Sequence, residues 1–246
     1  MGATLLQRGA IYHLIFILMN RSKSLKAAYE KFDREATYPL EEAVKMMVSN
    51  STVKFDATAE LHINLNIDPK QADQQIRSTL SLPHGTGKSV RVAVFCEDDQ
   101  VKAAKAAGAV EAGGAELIDK VVQKGWTDFD VAVAQPAMMK LLGKAAKVLG
   151  PKGLMPNPKA GTVTPDIEKA VKELCAGRLE YRNDKFGLIH SIFGKLSFGE
   201  AKLVENLINF INTVKDSKPS GVKGTFIKTI TINSTMGPGI KVDFNN

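Results

Sequence analysis

Cysteine is scarce in this 246-residue chain: only Cys96 and Cys175 occur, far apart. That excludes a disulfide framework and any Cys-based ligand spacing. It points to a reducing compartment and to two small core residues. The histidines, His13, His62, His84 and His190, are scattered without a metal-ligand pairing in sequence. No serine stands in a nucleophile elbow. The apolar run GAIYHLIFILM, residues 9–19, is too short to span a bilayer, and no small-residue cleavage pattern follows it. Gly2 lacks Ser or Thr four residues on, so myristoylation is not indicated. No acidic residue precedes Glu30, which permits an organellar transit segment. The simpler reading starts a basic protein at Met19, with residues 1–18 as an N-terminal extension.

Phosphate-binding fingerprints are also missing. HGTGKS, His84 to Ser89, approaches a P-loop, but the first glycine of that motif falls at Leu82. A hinge turn with a solvated lysine fits better. After the first strand of the central region stands Cys96-Glu97-Asp98 in place of G-x-G-x-x-G, which argues against dinucleotide binding. Asp98 and Asp99 read as an N-cap and first-turn pair. No residue is assigned to catalysis, to a metal or to a cofactor. The contrasting reading, a nucleotide-dependent enzyme built on the Rossmann-like region, is disfavoured by Leu82 and the missing glycines.

Between Asp130 and Asp166 acids are absent altogether, while Lys140, Lys144, Lys147, Lys152 and Lys159 line that stretch. It contains GPKGLMPNPKAGTV, Gly150 to Val163, with three prolines and three glycines. Proline breaks helices and central strands, so this is an extended, turn-rich loop. A stiff lysine-bearing loop suits a polyanion held at fixed geometry, or is simply a solvated surface loop. The net charge of +7 points the same way, weakly. Hydrophobic content of 44% and charged content of 24% are those of a soluble globular protein with a core, in one large domain or two small ones.

Periodicity divides the chain into three parts. First come helices at Lys26–Asp33 and after Pro39, where Leu40, Val44, Met47 and Val48 share a face. A half-buried strand follows, with Ala57, Ala59, Leu61, Ile63, Leu65 and Ile67 alternating against polar residues. A second strand ends at Pro83-His84-Gly85. From Val90 to Gly177 strands and helices alternate. Strands fall at Val90–Cys96 and Val131–Ala134. Helices fall at Asp98–Ala107, Gly114–Lys124 and Pro136–Leu149, and a last one is capped by Thr164 with Pro165 first. After Gly177 an antiparallel style returns. Strands Leu179–Tyr181 and Leu188–Ile192 flank an Asn183-Asp184 turn. A Ser197/Glu200 capping box opens a helix carrying Ala201, Val204, Leu207, Ile208, Ile211 and Val214 inward. Strands Thr225–Ile232 and Ile240–Phe244 are joined through STMGPG. The expected fold is therefore α/β and α+β in two domains. Residues 19–85 plus 178–246 make a discontinuous α+β domain with an antiparallel sheet, and 86–177 an inserted Rossmann-like three-layer βα domain. Two adjacent crossings, at Pro83, His84 and Gly85 and near Gly177, permit a hinge.

Two motifs stand open to opposite readings. Phe55, in KFDAT, is read either as an outward aromatic for sugar and base edges or as a partly covered edge side chain. STMGPG is an ordinary hairpin turn, or a loop whose Gly237 and Gly239 admit close backbone approach while Thr235 and Met236 face a ligand.

GPKGLMPNPKAGTV is similar to the signature of the L-one family of large-subunit ribosomal proteins. KFDAT (Lys54–Thr58), IDPKQADQQIR (Ile67–Arg77), SLPHGTGK (Ser81–Lys88), GRLEYRNDKFGLIH (Gly177–His190) and STMGP (Ser234–Pro238) resemble the same family in the same order. The resemblance covers about residues 20–246. It implies a non-enzymatic, monomeric constituent of the large subunit that binds large-subunit rRNA at the mobile stalk. It further implies assistance in releasing exit-site tRNA and repression of translation from its own mRNA. By motif match it assigns RNA contact to Lys54, Phe55, Thr58, Thr235, Met236 and Gly237, and it implies the same domain split and hinge. The location that follows is the cytoplasmic ribosome, or an organellar matrix or stroma if residues 1–18 are a transit segment. No membrane partner is expected.

Overall fold

A computed structural model describes residues 22–244. The segment 1–18 and the apolar run 9–19 lie outside these residues. Helix α1 (Lys23–Tyr29) is capped by Ser22, whose hydroxyl accepts from the Leu25 N–H. Strand β1 (Thr37–Tyr38) leads through Pro39 into α2 (Leu40–Ser49), where Glu41 and Glu42 sit in the positively polarised first turn. Strands β2 (Thr58–Leu65) and β3 (Arg77–Ser81) follow. In β2 every second residue is buried, so Ala59, Leu61, Ile63 and Leu65 face the core while Glu60, His62 and Asn64 face away.

The middle of the chain holds β4 (Val92–Phe95), α3 (Asp98–Ala106), β5 (Glu111–Gly113), α4 (Ala115–Lys124) and β6 (Val131–Ala134). Two short helices, α5 (Met139–Leu142) and α6 (Ala146–Leu149), precede α7 (Ile167–Cys175). The strands form a parallel sheet ordered β5-β4-β6. All four residues of β4 are buried, because both sheet faces are covered. Ala93 and Phe95 pack with Leu117, Ile118, Val121 and Leu142, and Val92 and Val94 with Ala170, Val171 and Leu174. This is the expected three-layer arrangement.

The last part holds β7 (Arg178–Arg182), β8 (Leu188–Lys195), α8 (Glu200–Asp216), β9 (Ile227–Ser234) and β10 (Ile240–Val242). A five-stranded sheet runs β1-β10-β9-β2-β8, antiparallel except for the β1–β10 pair. Residues from α2 and α8 join its buried face in one core that includes Met47, Leu61, Ile63, Phe193, Phe210 and Ile230. The fold class is thus mixed α/β and α+β, with no closed barrel among the described residues.

Several local expectations fail for physical reasons. The Ser197/Glu200 capping box does not form: Gly199 is the N-cap, with φ 83°. Ser197 instead gives its N–H and hydroxyl to the Asp56 carboxylate at 3.1 and 2.9 Å, so a tertiary partner outcompetes the local one. Helix α8 buries Leu203, Asn206, Leu207, Phe210, Ile211 and Val214, whereas Ala201 and Ile208 are exposed. Aliphatic residues alone misplace the stripe, because Asn206 and Phe210 belong to it. Thr164 does not cap a helix; its hydroxyl accepts from the Asp166 N–H, and α7 starts two residues after Pro165. Residues 136–149 are not one helix but short α and 3₁₀ turns broken around Gly143, where a helix interior is disfavoured. The N-cap of α3 is Glu97, not Asp98. Strand β5 escaped the sequence reading. Strand β7 pairs with β3 in a separate two-stranded sheet, and the turn after it is joined to β8 by the isolated Asn183–Ile189 bridge. Cys175 is exposed, so only Cys96 is a core cysteine.

The phase of α8 is directly testable. Phe210→Ala removes a fully buried ring and is expected to destabilise the fold by about 3–5 kcal/mol, read from the denaturation midpoint. Ile208→Ala, on the exposed side, should cost less than about 1 kcal/mol. Equal losses would contradict the observed inner face.

Candidate nucleic-acid interface

The two halves of the candidate site meet at the start of β2 and the end of β9. Thr58 and Thr235 are 177 positions apart in sequence and bonded in space. The Thr58 N–H donates to Thr235 Oγ1 at 3.0 Å, and the Thr235 N–H donates to the Thr58 carbonyl at 3.0 Å. The Thr235 hydroxyl donates back to that carbonyl at 3.3 Å. Its hydroxyl is therefore committed inside the protein, not free as the loop reading expects. Lys195 Nζ donates to Thr58 Oγ1 at 2.8 Å and to the Asp56 carbonyl at 3.3 Å. With Ser197 on the Asp56 carboxylate, the entry segment is tied to β8 and the turn after it. Asp56, Lys195 and Ser197 were not singled out from sequence; only pairing across the sheet reveals them.

From this anchored base two apolar side chains project. Phe55 is 57% exposed and Met236 is 80% exposed, while Lys54 is exposed beside Phe55. Met236 has φ 67°, the left-handed region, and is the only described non-glycine residue there. Such backbone costs an unbranched residue about 1–2 kcal/mol. The turn that imposes it is closed by the Gly237 N–H on the Ser234 carbonyl at 2.7 Å. Gly237 and Gly239 are not in that region themselves. They are glycines for space: a Cβ on Gly237 would overlap the Ser234 hydroxyl, and one on Gly239 would meet Thr231 Cγ2 at 3.2 Å. Ser234 Oγ is buried without a hydrogen-bond partner beneath the turn.

The hinge candidates Pro83, His84, Gly85 and Gly177 lie together at the crossings. Gly85 and Gly177 have φ 67° and 102°, and a Cβ on Gly177 would come within 2.5 Å of Gly85 Cα. Fully buried Asn206 holds this segment: it accepts from the His84 N–H at 3.1 Å and donates to the carbonyls of Gly85 and Phe193 at 3.1 and 2.8 Å. A lone asparagine on the inner stripe of an amphipathic helix was the available signal. Beyond the crossing, Lys88 and Arg91 both bind Asp130 at 3.2 Å. Its carboxyl sits below the usual range, chiefly through the Arg91 backbone N–H; burial opposes this, and the Arg91 and Lys88 side chains reinforce it. The HGTGKS turn is no phosphate cradle, because the space over Gly87 is filled by Lys195 and Phe198.

The proline-rich segment folds on itself. Thr162 Oγ1 accepts from the Asn157 N–H at 2.8 Å, a 3₁₀ turn covers Pro158–Ala160, and Val163 bridges Ala134 in parallel. Lys140, Lys144 and Lys147 are exposed, with no ion pair among the described residues.

This sheet-end arrangement coincides with a sequence-family match. The family model described as the Ribosomal protein L1p/L10e family matches residues 47–238, more than half of the chain. The chain belongs to this family. It is a structural constituent of the large ribosomal subunit and binds large-subunit rRNA. Proteins of this kind are generally non-enzymatic. The match includes both sheet ends, the crossings and the proline-rich segment. Among the described residues no helix is long and apolar enough to cross a membrane.

The clamp between the two threonines makes its own prediction. Thr235→Val leaves the Thr58 N–H without its acceptor. Amide exchange at Thr58 should accelerate about five- to tenfold, matching a net hydrogen bond of about 1 kcal/mol, while Thr235→Ser keeps the slow rate. Unchanged exchange in Thr235→Val would show that the hydroxyl anchors nothing.

Proposed function

We propose that Lys54, Phe55, Thr58, Thr235, Met236 and Gly237 form the grip on large-subunit rRNA at the mobile stalk. The observation that carries this reading is Met236, an apolar side chain held in a costly backbone conformation and left in solvent. Strain of this kind persists where surrounding structure imposes it, and it gathers at ligand-contact sites. Beside it, Phe55 offers a ring for stacking and Lys54 a charge for phosphate. Thr58 and Thr235 act first as the clamp that fixes both projections, leaving hydroxyl lone pairs and edges for sugar contacts. Gly237 lets the turn close tightly over Ser234, which holds Met236 outward where RNA approaches.

In this reading residues 19–85 plus 178–246 form the RNA-gripping domain and 86–177 the inserted one. Pro83, His84, Gly85 and Gly177 serve as the hinge. The inserted domain travels with the stalk and presents its acid-free lysine surface to exit-site tRNA, assisting its release. The same grip, meeting a similar fold in the protein's own mRNA, represses translation. The protein works as a monomer within the ribosome.

Binding of a stalk rRNA fragment, measured against salt, separates the roles. Lys54→Ala should lower the slope of log K against log salt by about one unit and weaken matched and mismatched RNAs alike. Phe55→Ala should cost roughly 1–3 kcal/mol at nearly constant slope. Met236→Glu should be worse than either, since it places a charge against phosphates. If Phe55→Ala and Met236→Glu bind the fragment as the unmodified chain does, this end of the sheet is not the grip.

The domain division is tested separately. Residues 19–85 joined by a short linker to 178–246 should fold and retain specific binding. The motive is that Leu80, Leu82 and Tyr181 pack in the five-stranded sheet's core, not against the parallel sheet. An unfolded product would refute the division.

A further inference from the structure

Met236 is the most exposed large apolar side chain among the described residues, at 80%. The other described methionines are shielded. Met47 and Met138 are buried, and Met46, Met139 and Met155 are half-buried against the two cores. The turn that carries Met236 is fixed. Its φ of 67° is held between the Thr235 N–H bond to the Thr58 carbonyl at 3.0 Å and the Gly237 N–H bond to the Ser234 carbonyl at 2.7 Å. A thioether reacts with peroxides through a sulfur lone pair, so susceptibility follows access, and access here is confined to one methionine. The exposed Cys175, at the end of α7, is the other oxidisable side chain in solvent.

We propose, on the reading of this turn as part of the rRNA grip, that Met236 is a reversible oxidation site at which hydrogen peroxide weakens RNA binding without unfolding the chain. The Met236 sulfur attacks one oxygen of the peroxide. An S–O bond forms, the O–O bond breaks, and the released hydroxide takes the proton of the transferred oxygen and leaves as water. Sulfur is oxidised by two electrons and the peroxide reduced by two. The sulfoxide turns a flexible apolar side chain into a polar one with partial negative charge on oxygen. Against phosphate oxygens, which only accept, that oxygen finds no donor, and the apolar contact of the grip is disrupted. The fold is untouched, because Met236 joins none of the cores and the bonds of its turn are made by its neighbours. Oxidation of Met47 or Met138 would break a core instead, and their burial keeps peroxide away. Bound RNA covers the Met236 sulfur, so the reaction belongs to the free chain. A methionine sulfoxide reductase reverses it: a dithiol supplies two electrons and closes to a disulfide, and the oxygen leaves as water.

Treating the full chain with hydrogen peroxide, then with dithiothreitol to return reversible cysteine products, tests the site by peptide mass spectrometry and by binding of the stalk rRNA fragment. Met236 should gain one oxygen at least about tenfold faster than Met47 and Met138, and a preformed RNA complex should slow that gain about tenfold. The chain oxidised at Met236 should bind about tenfold more weakly at an unchanged denaturation midpoint, and a sulfoxide reductase with dithiol should restore binding. In Met236→Leu, peroxide should leave the affinity at whatever value that variant starts from, which separates Met236 from Cys175 and the other methionines. The proposal is overturned if Met236 is oxidised no faster than the buried methionines, if bound RNA does not shield it, or if Met236→Leu loses affinity on the same treatment. It is also overturned if the sulfoxide binds as the untreated chain does, and Met236→Glu then shows what has failed. Where Met236→Glu binds as the parent, the grip reading falls and the oxidation site's effect with it. Where Met236→Glu loses binding, the grip stands and only the oxidation switch falls.

Discussion

The pairing of β2 with β9 is the constraint on which the rest of this structure depends. It joins residues near 60 to residues near 230 along the full length of both strands, with one irregularity between Asn64 and Leu65. Closing so long a loop is entropically slow, and its reward arrives only when Leu61, Ile63, Ile230 and Ile232 reach the shared core. Once it is made, β8 and β10 gain their places on either side, and α2 and α8 have an apolar face to cover. Within that closed loop β3 pairs with β7, Ser81 opposite Arg178, and this pairing holds both crossings close together. Gly85 against Gly177 is the direct consequence.

The same pairing places the features of the candidate RNA interface. At its end, Thr58 and Thr235 lock two chain segments to each other, and both exposed apolar side chains lie within three residues of that lock. The lock also explains how Met236 keeps a left-handed backbone with no packing of its own: the flanking bonds over-determine the turn. At mid-length the pairing sets Asn233 beside His62, while β8 brings His190 from the other side. A sheet face without a covering layer thus carries an ordered polar network.

The crossings show a comparable division of labour. Backbone that would otherwise be unpaired is satisfied by one side chain, Asn206, buried in α8. A buried amide with all its bonds made fixes a single arrangement, whereas a partly bonded one is costly. Asp130 performs a similar task on the far side by gathering Lys88 and Arg91. The crossings between these two anchors are a short, tied segment and not a loose linker.

Most of the elements were determined by the sequence itself, because alternation and helical periodicity record which face is buried. That holds for β2, β4, β6, α2, α4 and the inner stripe of α7. Local features lost where a distant partner was stronger, as when Asp56 took Ser197 from its helix cap. They lost again where polar residues belonged to a core, as with Asn206. The motifs at Lys54–Thr58 and Ser234–Pro238 were legible as unusual, but each had an ordinary reading of its own. Only tertiary structure decided that they meet, that the Thr235 hydroxyl is turned inward, and that Met236, not a glycine, bears the positive φ. The reason is physical: hydrogen bonds across strands and backbone strain depend on residues more than 170 positions apart, and a period along one chain carries no trace of its partner's register.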